Sequence, residues 1–499
     1  MQNLRRNREI TRSTAAVWAF LIFCSLFFIF PNLQAQAPDR SKPPTLGPAP
    51  TLKLPAIQHL QLSNGLPVVL MEKHEVPLVQ INLLIKAGTA MDPAGKSGLA
   101  SMTAAMLDEG AGSRNALQLA DAIDFLGARL SVSASLHNSV VALNTPLSKL
   151  DSALAVMADV ALRPTFPPEE LQRQRKERLT VLAQRHDEPR AIASVLFNRT
   201  LYGDKHPYGL SAMGDEKSLR GFRVEDLKNF HATYFRANNA ALVVVGDVTA
   251  SSILSKLEAA FGKWPAGKIP AATWPAITQI QTRRVWLVDK PGAAQSEIRI
   301  GRIGAPRLSE DYFALTVMNT ILGGSFTSRL NQNLREQHGY TYGARSVFDF
   351  RPLPGPFLAG AAVQTAVTDK ALIEFMKEFR AMLHPVSEAE LERAKNYVAL
   401  GFPQDFQSVA QIAGQLAELV IYDLPDDYFD NYIQRILAVT REEVLRVAKK
   451  YLDPEKIAII VVGDRKEIGN SVHALNLGPV QKMTIDEVLD KVPVMEETK

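Results

Sequence analysis

Residues 224–248 read VEDLKNFHATYFRANNAALVVVGDV, and residues 441–465 read REEVLRVAKKYLDPEKIAIIVVGDR. Each segment has a helical pattern, a Tyr, a turn, an apolar strand and a Val-Gly-Asp end. Tyr234 and Tyr451 are 217 residues apart, and so are Gly246 and Gly463. Agreement in register over about 25 positions indicates an internal repeat rather than chance similarity between helix–strand units.

The rest of the repeat is looser but predicts the same order of elements. Helical periodicity predicts helices over residues 98–107, 117–126 and 168–185, and the helix after the proline turn at 166–179 has a counterpart at 386–398. Alternation predicts a strand over 79–83 after a turn at 63–65, and the apolar run 241–245 reads as a buried strand. We therefore predict an α+β fold of two homologous domains, each containing a sheet packed with helices. Their predicted bounds are 57–266 and 281–499, with a Pro-, Ala- and Trp-containing linker at 267–280.

Length and charge exclude several classes of protein. The chain has 499 residues, of which 46% are apolar and 22% charged, so it can form more than one core. Its first 35 residues hold four Arg and one Glu, so their removal lowers the net charge from +4 to +1. A nearly neutral protein argues against nucleic acid or an anionic membrane surface as the main partner.

The N-terminus has the pattern of an export signal. Four arginines in the first 12 residues precede a 16-residue apolar run at 15–30, which is short for a membrane-spanning helix of about 20 residues. We predict a signal peptide over 1–35, cleaved after Ala35, followed by a Pro-rich linker over 36–56. The expected location is outside the cytoplasm, in the periplasm if the cell has an outer membrane. The alternative is an uncleaved N-terminal membrane anchor. The single cysteine, Cys24, lies in the signal, so the mature chain would contain neither a disulfide nor a catalytic thiol.

Three further stretches carry a resemblance to a known family. They are AGTAMDPAGKSGLASMTAAML at 87–107, LYGDKHPYG at 201–209 and LGGSFTSRLNQNLREQHGYTYGARS at 322–346. With the repeat, they make residues 57–467 resemble the pitrilysin/insulinase-type zinc peptidases of the short bacterial kind, and also mitochondrial processing peptidase. The resemblance implies two domains, each with a mostly antiparallel sheet packed with helices, that together form half of a clamshell chamber.

The zinc-binding motif of that family is missing from this chain. In active members, His-x-x-Glu-His on a helix places two imidazoles on one face for zinc, and the Glu is the general base for the metal-bound water. The corresponding residues here are Ser101, Ala104 and Ala105, and the resemblance assigns Gln184 to the place of the third ligand, a Glu on a downstream helix. Methyl groups cannot coordinate, and neutral Ser and Gln side chains are poor zinc ligands. We therefore expect this chain to bind no metal.

The nine histidines offer no obvious replacement site. No pair has the i, i+3 or i, i+4 spacing that places two rings on one helical face, although folding could still assemble a site from scattered histidines. His206, in His-Pro-Tyr, is better interpreted as a capped loop residue than as a ligand. Ser101 lacks the Gly-x-Ser-x-Gly turn of a nucleophilic serine and has no evident base.

A second part of the family's site is present. In the family, the C-terminal domain supplies an Arg and a Tyr seven residues apart, which contact substrate bound at the zinc site of another domain or subunit. Arg335 and Tyr342 have this spacing, with Tyr340 as the competing tyrosine if the register shifts by two. A guanidinium can bind substrate carbonyls, and a phenol can donate a hydrogen bond to the developing oxyanion.

These residues lead to three hypotheses. The first is the metal-free subunit of an exported two-component peptidase, in which a sister chain supplies the zinc and the base and this chain supplies Arg335 and Tyr342 for the hydrolysis of peptides. The second is a catalytically inactive scaffold or peptide-binding protein. The third, ranked last, is an autonomous zinc peptidase with an unrecognised site. Residues after Arg465 are expected to pack loosely on the second domain, without an assigned role.

Overall fold

Two six-stranded sheets, one in each half of the chain, organise the computed structural model. It describes residue 47 and residues 52–494. The predicted signal peptide and most of the Pro-rich linker lie outside these residues. The first sheet contains β1 (Ile57–Gln61), β2 (Pro67–Glu72), β3 (Leu78–Ile85), β6 (Arg129–Ala134), β7 (Ser139–Pro146) and β8 (Ala240–Gly246), and β4 (Gly110–Ala111) and β5 (Arg114–Asn115) form a small separate ribbon. The second contains β9 (Arg284–Asp289), β10 (Gln295–Ile303), β11 (Arg345–Phe348), β12 (Pro356–Gln364), β13 (Ala458–Gly463) and β14 (Val480–Met483).

Helices surround both sheets. In the first half they are α1 (Leu99–Ala105), α2 (Ala116–Phe125), α3 (Leu150–Leu162), α4 (Pro168–Arg185), α5 (Pro189–Tyr202), α6 (Glu216–Gly221), α7 (Val224–Tyr234) and α8 (Ala250–Phe261). In the second half they are α9 (Tyr312–Asn319), α10 (Arg329–Asn331), α11 (Thr368–Ala381), α12 (Glu388–Gly401), α13 (Val409–Tyr422), α14 (Tyr432–Ala438), α15 (Arg441–Tyr451), α16 (Arg465–Ala474) and α17 (Ile485–Leu489). Within residues 52–494, none of these helices is both long and apolar enough to span a membrane.

The sheets confirm the predicted α+β class and its mostly antiparallel pairing. Their strand orders are β1-β2-β8-β3-β7-β6 and β11-β12-β10-β13-β9-β14. The pairs β2–β8, β13–β9 and β14–β9 are parallel, and the other neighbours within the sheets are antiparallel. The repeat is visible in three dimensions because α7 and α15 are 217 residues apart at both ends, and each leads into a central strand, β8 or β13.

Each half of the chain contributes one helix that packs on the sheet of the other half. Strands β8 and β13 are buried along their whole length, so both faces of each sheet need a cover. On one face of the second sheet, Ile192 and Phe197 of α5 pack in the same cluster as Val462. On one face of the first sheet, Val243 and Val245 belong to a cluster that also contains Leu416 of α13. Each half therefore completes the core of the other, which explains why residues from 49 onward form one compact unit.

An aromatic cluster adds to the contact between the halves. Tyr208 and His137 Nε2 share a hydrogen bond of 2.5 Å, and the Arg351 guanidinium lies 4.6 Å from the centre of the Tyr208 ring. His206, interpreted from the sequence as a capped loop residue, is itself the cap: its Nδ1 accepts a hydrogen bond from the Tyr208 N–H at 3.1 Å. Burial is the main cause that lowers the pKa of His137 to about 4, so its imidazole is neutral at pH 7.

The C-terminal segment differs from the expectation of a loose tail on the second domain. Strand β14 pairs with β9 and extends the second sheet, and α17 then packs against α5 of the first half. Arg199 donates hydrogen bonds to the carbonyl oxygens of Glu487 (2.9 Å) and Val488 (3.1 Å). Val488 is almost fully buried. The expectation was wrong because Val488 belongs to a cluster that includes residues from both halves.

Candidate functional site

Helix α1 carries Ser101, Ala104 and Ala105, the three positions to which the resemblance assigns the family's zinc ligands and base. Its N-terminus follows Gly98, whose φ of +86° suits glycine, and a Cβ there would lie 2.6 Å from the backbone of Met213. Asp92 accepts hydrogen bonds from the N–H groups of Gly98 (2.7 Å) and Ala100 (2.8 Å), so its carboxyl group caps the helix. Ala104 is buried and Ala105 is partly buried. The helix is thus positioned firmly without any metal ligand.

Arg178, on helix α4, is the residue that contacts the first ligand position. Its Nη1 donates to Ser101 Oγ at 2.7 Å and its Nη2 donates to the Ser101 carbonyl oxygen at 2.8 Å. Burial lowers the pKa of Arg178 to about 10, so the guanidinium remains charged at neutral pH. Burial also raises the pKa of Asp92 to about 7, against the opposing effects of its backbone hydrogen bonds and of Arg178.

Gln184 does not lie beside Ser101. It is six residues beyond Arg178 on the same helix, and at about 100° per residue its side chain points about 120° away from that of Arg178. It is also exposed. Within residues 52–494, no group of three or more His, Cys, Asp or Glu side chains is arranged to hold a metal ion. Zinc does not fit the residues at α1, because the side chains there are Ser and Ala, and the charged group that contacts Ser101 is the Arg178 guanidinium, a cation.

Arg335 and Tyr342, in contrast, lie close together. Arg335 belongs to a π-helical turn, Gln332–Gln337, and Tyr342 lies in the loop that leads to the edge strand β11. The Arg335 guanidinium carbon is 5.3 Å from the Tyr342 ring centre and 4.6 Å from that of Phe326. Both distances are within the range of cation–π attraction. Tyr340 instead stacks on His338, with ring centres 4.8 Å apart, so the structure pairs Arg335 with Tyr342 rather than with Tyr340.

The two aromatic rings are unusual for their exposure. Tyr342 is 90% exposed and Phe326 is 59% exposed, although side chains of this size are mostly buried in cores. Phe326 follows Gly323-Gly324, which end a second π-helical turn, Thr320–Gly324. Short π-helical turns occur frequently at functional sites. Two exposed aromatic rings beside a guanidinium form a surface suited to contact with a peptide or a partner.

A groove of about 410 Å³ runs beside Tyr342 over the second sheet. Arg190, Glu297, Arg299 and Arg345 contribute charged side chains to its walls. Arg299 and Glu297 form an ion pair of 3.1 Å, while the buried Nε of Arg299 has no hydrogen-bond partner among the described residues. The arginine side chains on its walls are hydrogen-bond donors suited to a bound carbonyl or carboxylate.

Each sheet also presents an exposed edge. Strand β6 ends the first sheet and alternates exposed and partly buried residues. Strand β11 ends the second sheet with Arg345 and Val347 exposed, and its Ser346 carbonyl oxygen accepts a hydrogen bond from Asn319 Nδ2 at 3.2 Å. An edge strand has free backbone N–H and C=O groups that can pair with an extended peptide.

Sequence reasoning missed four residues of these sites: Asp92, Arg178, Arg299 and Phe326. Only Phe326 had a usable signal, since it directly follows Gly-Gly-Ser, residues that favour a turn at the surface. Arg178 lies in a run of charged residues, QRQRKER, that is typical of a solvated helix face.

Fold and site together define a two-domain, peptidase-like protein in which α1, the helix expected to correspond to the zinc helix, carries Ser and Ala. Two family models match the chain: "Insulinase (Peptidase family M16)" over residues 67–215 and "Peptidase M16 inactive domain" over residues 221–398. The chain therefore belongs to peptidase family M16, the insulinase family.

Relatives of this chain carry different descriptions. It is 22% identical to the "non-peptidase homolog YmxG" of Helicobacter pylori, over 83% of this chain and 96% of that protein. It is 26% identical to an "uncharacterized zinc protease" of Rickettsia felis, over 67% of this chain and 80% of that protein.

Solved structures share the fold. The crystal structure of a peptidase M16 inactive domain from Pseudomonas fluorescens has a TM-score of 0.76 and 29% identity, covering 82% of this chain and 98% of that one. A chain of complex III2 from Candida albicans has a TM-score of 0.70 and 15% identity, covering 86% of this chain and 100% of that one.

Proposed function

We propose that this chain is the metal-free subunit of an exported two-component metallopeptidase. The observation that supports the proposal is the contrast between the two sites. The metal helix holds Ser101, Ala104 and Ala105 beside a cation, whereas Arg335 and Tyr342 are adjacent and exposed. A partner chain with His-x-x-Glu-His would supply the zinc and the general base.

In this proposal, Arg335 binds the peptide substrate and Tyr342 polarises the carbonyl group that water attacks. Arg335 offers N–H donors to backbone carbonyl groups of a peptide, and its contact with the Tyr342 ring keeps the two side chains next to each other. The Tyr342 hydroxyl donates a hydrogen bond to the oxygen that gains charge when water attacks the peptide carbonyl. An unfolded peptide can pair with the edge strands β6 and β11, which gives the site a preference for extended segments.

The test compares two substitutions at one position in the purified complex. Tyr342→Phe keeps the ring that contacts Arg335 and removes only the hydroxyl group, so turnover of an unstructured peptide should fall by about 100-fold with little change in KM. Tyr342→Leu also removes the ring, so KM should rise in addition because Arg335 loses its position. Gel filtration confirms that each variant still assembles. Full turnover by both variants in an intact complex would contradict the role assigned to Tyr342.

The second candidate is a catalytically inactive scaffold or peptide-binding protein in the same compartment. The "non-peptidase" description of the Helicobacter pylori relative favours it. The scaffold alternative predicts that substitutions at Arg335 and Tyr342 leave every partner's activity unchanged. It also predicts that a substitution such as Phe326→Asp, on the exposed aromatic surface, releases the partner.

A further inference from the structure

The Arg178 guanidinium lies next to Ser101, where a metal ion would lie if residue 101 were one of its ligands. Two of its nitrogen atoms lie 2.7 and 2.8 Å from the Oγ and carbonyl oxygen of Ser101. In a His-x-x-Glu-His helix, the side chains at the first and fifth positions project from one face toward a common ion. The guanidinium therefore fills the space into which a histidine at position 101 would direct its ring.

Arg178 remains positively charged although burial partly removes it from water. The Asp92 carboxyl group caps the N-terminus of α1, and its charge acts on Arg178. Arg178 extends from α4 and donates both hydrogen bonds to α1, so the cation connects the two helices that carry the ligands in active relatives. A structural metal ion would connect the same two helices.

We propose that Arg178 takes the place of the metal: it bridges α1 and α4 as a built-in cation and excludes divalent ions from the site. The loss of metal is therefore not only a loss of ligands. A Zn²⁺ ion beside the guanidinium would meet a like charge in a partly desolvated site, so restored ligands alone would not recover binding. The proposal holds for a peptidase subunit and for a scaffold alike.

The experiment restores the motif with and without Arg178. One variant carries Ser101→His, Ala104→Glu and Ala105→His, and a second adds Arg178→Glu, which places a carboxylate on the α4 face that contacts position 101. A matched control adds Gln184→Glu to the first variant instead. Zinc affinity is measured by competition with a chromogenic chelator, and zinc content by elemental analysis after dialysis, on full-length mature protein.

We expect the variant that retains Arg178 to lose its zinc on dialysis, and the Gln184→Glu control to behave in the same way. The Arg178→Glu variant should bind zinc at least 100-fold more tightly, because a repulsive charge is replaced by a ligand. Retention of one zinc ion per chain with Arg178 in place would overturn the proposal.

A neutral substitution separates charge from folding. Arg178→Met in the restored background removes the cation without adding a ligand and keeps a long side chain, and zinc affinity should still rise by about tenfold or more. Circular dichroism and gel filtration show whether each variant is folded. If Arg178→Glu does not fold, the methionine variant alone decides, and unchanged zinc affinity in a folded Arg178→Met protein would mean that Arg178 is merely structural.

Discussion

Asp92 makes the stability of the first half depend on pH in an unusual direction. Most carboxyl groups in folded proteins stabilise the protein when ionised. Burial instead raises the pKa of Asp92 to about 7, although two backbone N–H groups donate to its oxygens. A group whose folded pKa is raised contributes stability that is present below its unfolded pKa and is lost as the pH rises through its folded pKa.

The magnitude follows from the two pKa values. An unfolded Asp has a pKa of about 3.9, and Asp92 in the folded protein has a pKa of about 7. At about 1.4 kcal/mol per unit, the difference corresponds to about 4 kcal/mol between low pH and pH 8. About 2.5 kcal/mol of this change falls between pH 5 and pH 8. Asp92→Asn cannot ionise and should lack this pH dependence.

The assay is urea unfolding of the mature protein and of Asp92→Asn at pH 5, 6, 7 and 8, followed by circular dichroism. The free energy of unfolding of the unmodified protein, relative to the variant, should fall as the pH rises. Asp464→Asn is the matched control: Asp464 caps α16, and backbone hydrogen bonds, the first from Gly292, lower its pKa. The difference in the free energy of unfolding between the unmodified protein and Asp464→Asn should not change between pH 5 and 8. If the difference in the free energy of unfolding between the unmodified protein and Asp92→Asn also does not change with pH, the reasoning is refuted.

Three further predictions concern other parts of the chain. His137, whose folded pKa of about 4 lies below its unfolded value of about 6.5, contributes stability that is present above pH 6.5 and lost as the pH falls toward 4. Relative to His137→Gln, the native protein should lose about 2 kcal/mol between pH 8 and pH 5 in the same unfolding assay, and an equal pH dependence of both proteins would contradict this. The ion pair with Arg329 lowers the pKa of Glu390 to about 2. Glu390→Gln should therefore lower the free energy of unfolding at pH 7 by about 1–3 kcal/mol. This loss of stability should become smaller as the pH falls from about 4.5 toward 2. A loss of the same size at pH 3 would show that the carboxylate charge is not responsible. The mature protein should begin near Gln36 and be found outside the cytoplasm, and N-terminal sequencing that finds Met1 on cytoplasmic protein would exclude export.

The distribution of sites has a consequence for how the chain would work with a partner. In this chain the Arg178 guanidinium occupies the space next to Ser101, between α1 and α4. The surface formed by Phe326, Arg335 and Tyr342 is instead open to solvent. Peptide chemistry by a complex would therefore depend on the second half of this chain, and substitutions on α1 should alter stability rather than turnover.

The sequence by itself determined the elements of the fold. Helix α4 spans residues 168–185 as its periodicity predicts, and the apolar runs at 241–245 and 458–462 are strands buried on both faces. The repeat of 217 residues established two similar domains, and the residues at 101, 104 and 105 established that the metal motif is absent. These features depend on neighbours within a few turns or strands, which a local pattern records.

Only the tertiary structure decided which distant residues meet. The fully apolar strands showed that both faces of each sheet must be covered, but not that α5 covers the second sheet and α13 the first. Similarly, Arg178 is 77 residues from Ser101, and its place in a charged run resembles a solvated helix face, whereas in the fold its guanidinium reaches Ser101. The physical reason is that periodicity fixes which face of an element is apolar, while the path of the chain selects the surface against which that face packs.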